Sequence, residues 1–355
     1  MISPTVKASF VGADFYANDI FDVASLRNRD NCLLPFFEVR KLFIDNGVEL
    51  NSVDINRDDC VQFELHLDVQ KTLKGNIPKY VMLYESPQVR SLNQSKLQLA
   101  KYRLVFTWRD DLVDGQKYIK FNLPNKIVVN NTRGWDGRNK FCCLISANKS
   151  ISQKTLLELY SERVKTIRWF EKNAPHAFDL YGGGWGMPAA KNGLTRRLLS
   201  KLATYLPKDR KKIYFPSYRG KVVSKLETMQ HYRFSICYEN VCDLPGYITE
   251  KIWDSFFAGC VPVYWGASNI TDYIPENCFI DRRKFVNHDD LYKFMDAMTE
   301  LEHTAYQERI AAFLITEKAH QFSAEAFAAT IVNTIMRDLE LGSVSKLPVD
   351  DQIST

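Results

Sequence analysis

The sequence predicts an α/β protein made of two Rossmann-like domains facing a cleft. Short apolar runs with strand patterning alternate with segments of helical spacing, which implies parallel sheets. The 355 residues suffice for two domains of ordinary size. A polar, glycine-containing stretch, residues 126–140, lies between two such α/β series and reads as a linker.

The first series, residues 1–125, opens with a strand at Ala8–Val11. Leu33–Asn46 keeps its apolar residues on one helical face and is followed by Gly47. Strands are predicted at Glu49–Ile55, Gln62–Val69 and Lys79–Tyr84. A helix over Leu92–Tyr102 and a strand at Arg103–Trp108 follow. The second series, residues 141–341, starts with a strand at Phe141–Ser146. Next come a long helix over Lys154–Asn173 and a strand at Phe178–Tyr181. The cluster Gly182-Gly183-Gly184-Trp185-Gly186 does not fit G-x-G-x-x-G and reads as a tight turn near a ligand. After Asn287 the pattern is helical to about Leu341. Gly342 suits the position just past a helix end, and residues 342–355 form a polar tail.

The most informative segment is Tyr232–Phe285. Phe234, Ile236 and Tyr238 alternate with Ser235 and Cys237 as in a strand, and Glu239 and Asn240 stand at its carboxyl end. Asp243, Pro245 and Gly246 turn the chain. Ile248, Ile252, Trp253, Phe256 and Phe257 then recur at helical spacing until Gly259, and Val261–Trp265 is the next strand. Open α/β sheets bind ligands beyond the carboxyl ends of their strands. A helix start presents free N–H groups and the positive dipole end, which suit a phosphate. Thr249 is placed to cap this helix, Lys251 to put a charge on a phosphate, and Glu250 to accept bonds from sugar hydroxyls. The competing reading makes Glu250 a dipole partner and Lys251 a solvated charge.

The wording of this segment resembles the signature of the α1,3/4-fucosyltransferases, glycosyltransferase family 10. The elements are Tyr232-Arg233-Phe234, Tyr238-Glu239-Asn240, Tyr247-Ile248-Thr249-Glu250-Lys251 and Val261-Pro262-Val263-Tyr264-Trp265-Gly266. Arg233 replaces a common Lys and Tyr238 a common Phe. The resemblance implies the GT-B fold and inverting, metal-independent transfer of fucose from GDP-β-L-fucose. The implied target is a glycan hydroxyl, O3 of N-acetylglucosamine or glucose. It also implies the anchorless bacterial type, working on surface polysaccharide or lipopolysaccharide. The same machinery with another GDP-sugar, and a non-catalytic binding protein, are the alternatives.

Such a reaction needs a base for the acceptor proton and positive charge on the departing diphosphate. Glu85 ends the strand Lys79–Tyr84, and Ser86-Pro87 bends the chain away. Tyr84-Glu85-Ser86-Pro87 is similar to the family's Glu-Ser/Pro-Pro element, whose Glu is the proposed base. The competing role for Glu85 is capping the following helix. Arg163, in the long helix, matches the place of an arginine that contacts the diphosphate in the family; Lys165 and Arg168 compete with it. Its competing role is a surface pair with Glu158. Asn240 and Tyr247 are expected to orient hydroxyls or phosphate, and Glu239 either joins them or bonds the loop backbone. In the basic, aromatic stretch Lys208–Lys225, Tyr218 and Lys225 resemble a recurring element of bacterial members and become donor-site candidates; a solvated loop is the competing role.

Composition limits the rest. Forty-five per cent hydrophobic and 25 per cent charged residues describe a globular chain. No apolar run is long enough for a transmembrane helix, and the first residues lack a signal-peptide pattern. A cytoplasmic location, with peripheral contact to the inner face of a membrane, is the expectation. The net charge of +5 suits an anionic donor, and no motif indicates nucleic acid. Eight cysteines show no C-x-x-C pair, the six histidines show no ligand spacing, and there is no D-x-D triplet. Free thiols, no metal and no cofactor beyond the donor are therefore expected. Acceptor choice is assigned to loops near residues 12–35 and 86–95.

Overall fold

The computed structural model describes residues 6–12, 15–56, 60–129, 134–150, 155–186, 190–191 and 214–344. The first domain contains β1 (Val6–Val11), α1 (Leu34–Asp45), β2 (Val48–Ser52), β3 (Phe63–Leu67), β4 (Lys79–Leu83), α2 (Lys96–Leu99), β5 (Leu104–Thr107) and β6 (Tyr118–Lys120). Its strands form one sheet in the order β2-β1-β3-β4-β5-β6, every pair parallel. All five residues of β4 are buried, as a central strand covered on both faces requires.

The second domain contains β7 (Lys140–Ile145), β8 (Lys149–Ser150), α3 (Tyr160–Asn173), β9 (Phe178–Tyr181), β10 (Ala190–Lys191), α4 (Lys225–Met229), β11 (Tyr232–Tyr238), α5 (Glu250–Ala258), β12 (Val261–Trp265), α6 (Ile270–Tyr273) and β13 (Ile280–Asp281). Its main sheet is also parallel, in the order β13-β12-β11-β7-β9. The order reverses between β7 and β11, so the crevice where an open α/β sheet takes its ligand opens at their carboxyl ends. Helices α7 (His288–Asp296), α8 (Glu300–Leu314), α9 (Glu317–His320) and α10 (Ala324–Val344) follow, up to the last of the described residues.

Four features differ from the sequence reading. The helix expected over Leu92–Tyr102 is a 3-10 turn, Ser91–Gln94, followed by the four-residue α2. Ser95 separates them because it takes an extended conformation and its hydroxyl accepts from Gln98 N, capping a new helix instead of continuing the old one. The linker is anchored at its carboxyl end. Arg138 is fully buried and donates to the carbonyls of Tyr232 and Ala258, each at 2.7 Å.

The last helix, assigned by sequence to the second domain, lies on the first. Phe327, Ala328, Ile331, Val332 and Ile335 share a core with Phe36, Val39 and Phe43 of α1. Tyr80 of β4 donates to Asp338 at 2.5 Å. The i, i+4, i+8 stripe identified a helix but carried no information about which core it would meet. Finally, this helix passes through Gly342 to Val344; helix ends are uncertain by a residue or two on pattern alone. The remainder of the expected tail lies outside the described residues.

Candidate donor and acceptor edges

Helix α5 buries Ile252, Trp253 and Phe256 in one apolar cluster, each worth about 1.5–3 kcal/mol of burial. Gly259 ends it at φ 69°, a left-handed turn that glycine makes without strain. Its start faces the other way, towards the carboxyl ends of β7 and β11. Thr249 occupies the cap position, but its hydroxyl does not accept from the helix. It donates instead to Glu239 Oε2 at 2.6 Å, while Thr249 N donates to Glu239 Oε1 at 2.8 Å. The expected side-chain cap is thus absent, because a stronger acceptor holds the hydroxyl. The first-turn N–H groups keep their anion-binding character.

Glu239 is fully buried and also accepts from Lys251 Nζ at 3.2 Å. Its place is therefore structural: one carboxylate fixes the loop, the cap residue and the lysine. Lys251 also donates to Thr249 Oγ1 at 2.8 Å and Glu250 Oε1 at 3.4 Å. Burial alone would lower the pKa of Lys251, but the Glu239 and Glu250 charges outweigh it and raise it. The side chain of Glu250 is half exposed. Desolvation works against its charge, yet Lys251 and Lys225 hold it ionised, below the ordinary carboxylate range.

Arg163 is buried, not a surface charge paired with Glu158. Nε and Nη2 donate to the carbonyl of Tyr238 at 3.2 and 2.7 Å, and Nη2 donates to Asn240 Oδ1 at 3.0 Å. Nη1 takes part in none of these bonds, and Arg163 lines the cavity at the base of the crevice. The competitors Lys165 and Arg168 form local pairs with Glu162 and Glu171 on the outside of α3. The cavity measures about 30 Å³, room for about one or two waters; it is the root of an open cleft. Arg163, Lys225, Glu250, Lys251 and Asp254 line it, with Ser146 at the end of β7. Ser146 Oγ has no partner among the described residues.

Asn240 and Tyr247 form a strut. Asn240 Nδ2 donates to the Tyr247 hydroxyl at 3.3 Å. The Tyr247 ring lies 4.6 Å from that of Trp108 of the first domain. Trp108 Nε1 donates to the carbonyl of Tyr84, beside Glu85, at 3.3 Å. Arg163 and Glu85 are thereby joined through rigid groups across the cleft. Gly246 makes the close approach possible: at φ 79°, a Cβ there would stand 2.2 Å from the Trp108 carbonyl.

Lys225 reaches the same cavity, but its ammonium is held by Asp254 at 2.7 Å and, from the first domain, by Asp30 at 3.9 Å. Tyr218 stands apart from this cavity. Its hydroxyl donates to Gly182 O at 2.8 Å, at the carboxyl end of β9. Gly182 itself is required: a Cβ would meet Ser146 O at 1.9 Å, so the glycine cluster is a tight turn against the end of β7. Of the stretch Lys208–Lys225, residues 208–213 lie outside the described residues.

Glu85 stands exposed at the end of β4. It caps nothing: the next turn has Arg90 at its cap position and no side-chain cap bond. Desolvation, then the Asp68 carboxylate, raises the Glu85 pKa, while Lys149 and Lys251 pull it down. Asp68 was not singled out by sequence; neither were Asn93, Asp30, Asp254 and Ser146. Ser146 alone had a usable signal, the end of a predicted strand. Among the described residues no group of three His, Cys, Asp or Glu side chains is placed to hold a metal ion. None of the described helices is long and apolar enough to cross a membrane. Cys142, Cys143, Cys237, Cys242, Cys260 and Cys278 are buried free thiols, and Cys32 and Cys60 are exposed ones.

Two parallel α/β domains facing a cleft, with the crevice at a topological switch point, define the GT-B class of fold. Residues 135–311, about half of the chain, match the model described as Glycosyltransferase family 10 (fucosyltransferase) C-term. The chain belongs to glycosyltransferase family 10, the fucosyltransferase family. An α-(1,4)-fucosyltransferase of Arabidopsis thaliana is 35% identical over 80 residues, 22% of this chain and 20% of that protein. The α-(1,3)-fucosyltransferase FucT of Helicobacter pylori is 32% identical over 74 residues, 21% of this chain and 15% of that protein. The matched stretches thus span a fifth or less of these relatives. A crystal structure of an α1,3-fucosyltransferase with GDP shares the fold: TM-score 0.53, 13% identity, 95% of this chain and 92% of that one covered.

Proposed function

We propose that this chain transfers L-fucose from GDP-β-L-fucose to a glycan hydroxyl, with inversion and without a metal ion. The observation that carries this is the pairing across one cleft of an exposed carboxylate at the end of β4, Glu85, with a helix start flanked by Arg163 and Lys251. Glu85 takes the proton of the acceptor hydroxyl as its oxygen attacks the anomeric carbon. The bond to the β-phosphate oxygen breaks on the opposite face, and GDP leaves with the electron pair. Arg163, Lys251 and the N–H groups after Thr249 spread the charge of the departing diphosphate. An arginine fork and an ammonium thus supply what a divalent cation supplies elsewhere. Tyr218 and Lys225 stand outside the core of this reading: Tyr218 flanks the edge of β9, and Lys225 is a second cation held in reserve by Asp254.

The two relatives above carry α-(1,4) and α-(1,3) names, so the shared stretch speaks for fucose and leaves the linkage open. O3 of N-acetylglucosamine or glucose, in a bacterial surface polysaccharide or lipopolysaccharide, is the acceptor proposed. The site of action proposed is the cytoplasmic face of a membrane. A panel of GDP-fucose, GDP-mannose and UDP-glucose, assayed for transfer to N-acetyllactosamine with and without EDTA, tests the reading. Transfer from GDP-fucose that survives EDTA supports it. Loss of activity with EDTA overturns the metal-free mechanism, and preference for another donor overturns the fucose assignment.

A further inference from the structure

Asp68 follows β3 in a left-handed conformation, φ 60°, a region few non-glycine residues enter except Asn and Asp. That turn sends its side chain under the end of β4, where it is buried. Oδ1 accepts three bonds: from Tyr84 N at 2.7 Å, Glu85 N at 3.0 Å and Asn93 Nδ2 at 2.8 Å. Asn93, also buried, donates through the same Nδ2 to the carbonyl of Glu85 at 2.9 Å. Its Oδ1 accepts from Val69 N at 3.0 Å. Both peptide groups of Glu85 are therefore held by two buried side chains from separate segments. No sheet neighbour could hold them, because β4 ends at Leu83.

We propose that Asp68 is the positioning residue of this enzyme's base: with Asn93 it fixes the Glu85 backbone at the cleft, and its charge makes the Glu85 carboxylate a better proton acceptor. The proposal rests on the assignment of Glu85 above. Two effects follow from one side chain. The hydrogen bonds restrict where the carboxylate can stand, which matters because small displacements of a reacting group are costly. The like charge disfavours a second bare carboxylate nearby. The other groups facing Glu85 are its chain neighbour Tyr84, Tyr247 of the opposite loop, Lys149 of β8, and Glu250 and Lys251 at the α5 start. Asp68 in turn faces Arg90 and Tyr102.

Three variants separate these effects, each read as kcat, KM and a pH profile of GDP release from GDP-fucose, with N-acetyllactosamine or water as the attacking hydroxyl. Asp68→Asn keeps an acceptor oxygen and removes the charge. The expected result is a kcat lower by about tenfold, an acidic limb moved to lower pH, and an unchanged KM for GDP-fucose. Asn93→Ala removes the grip on the Glu85 carbonyl and one of the three bonds to Asp68 Oδ1, and leaves the Asp68 side chain in place. It should lower kcat by about tenfold as well, with the limb where it was. A folded, GDP-binding Asp68→Asn protein with the wild-type limb overturns the proposal. If Asp68→Asn does not fold, wild-type kcat in Asn93→Ala overturns it. Glu85→Gln keeps the two readings distinct: if it turns over normally, the base assignment falls and this proposal with it. If it is inactive while Asp68→Asn behaves as wild type, only the role of Asp68 falls.

Discussion

The two edges of the cleft are built differently. The proposed donor edge of the second domain comes almost entirely from one continuous segment, the end of β11 through the start of α5, with Arg163 added from α3. The proposed catalytic edge of the first domain brings together the ends of two strands and a turn: Asp68, Glu85 and Asn93. The donor edge centres on one fully buried acid, Glu239, tied to a cation and a cap. The other edge carries two acids close together, one buried beneath the other. Opposite demands explain this. A diphosphate site needs fixed positive charge that does not reorganise. A base needs a carboxylate whose charged form is made less comfortable than in water.

The largest expected effect lies at the catalytic edge. Glu85→Gln should lower kcat by about a hundred- to ten-thousand-fold, the range for loss of a general base, while GDP binds as before. Steady-state kinetics alongside GDP titration would show it; a comparable loss of GDP affinity would mean that the two edges are not separable. With Glu85 as the proposed base, transfer by the unmodified protein requires its ionised form. Because its pKa is raised, activity should fall off at a pH above the ordinary carboxylate range as acid is added, and a limb at ordinary carboxylate pH would remove that edge's distinguishing property.

Next comes the buried acid of the donor edge. Glu239→Gln removes the charge facing Lys251 and leaves an amide where an acceptor of three bonds is needed. The stability loss should be about 3 kcal/mol, typical of breaking a buried pair from one side. A urea midpoint within error of the parent would show that Glu239 is not the anchor described here. Smaller still is Gly246→Ala at the seam between the edges, where a φ of 79° and the Trp108 carbonyl both resist a Cβ. A cost of about 2 kcal/mol is expected, with weaker coupling between GDP binding and turnover. Unchanged kinetics would mean that the Tyr247–Trp108 contact does not align the domains.

This contrast also explains what the sequence could tell. The parallel strands were legible because β4 and β12 are largely apolar runs bounded by turns and β11 alternates apolar with small or polar residues. Glu239, Thr249 and Lys251 were legible as neighbours in one motif, though not their bonding: the helix start is uncapped because Glu239 holds Thr249, a contact between residues ten apart in sequence. Asp68 and Asn93 stand seventeen and eight residues from Glu85 and carry no local pattern; only the meeting of strand ends brings them together. Helix α10 was likewise visible as a helix, but its return to the first domain is a tertiary choice that periodicity does not encode.

Fucosyl transfer as proposed depends most on the donor edge being a preformed diphosphate site, and calorimetric titration tests that directly. The intact protein should bind GDP and GDP-fucose in preference to UDP, with EDTA present, and Lys251→Ala should weaken GDP about ten- to hundredfold, as loss of a charged hydrogen bond does. Equal binding of GDP by the parent and Lys251→Ala, or no guanine-nucleotide binding at all, would contradict it.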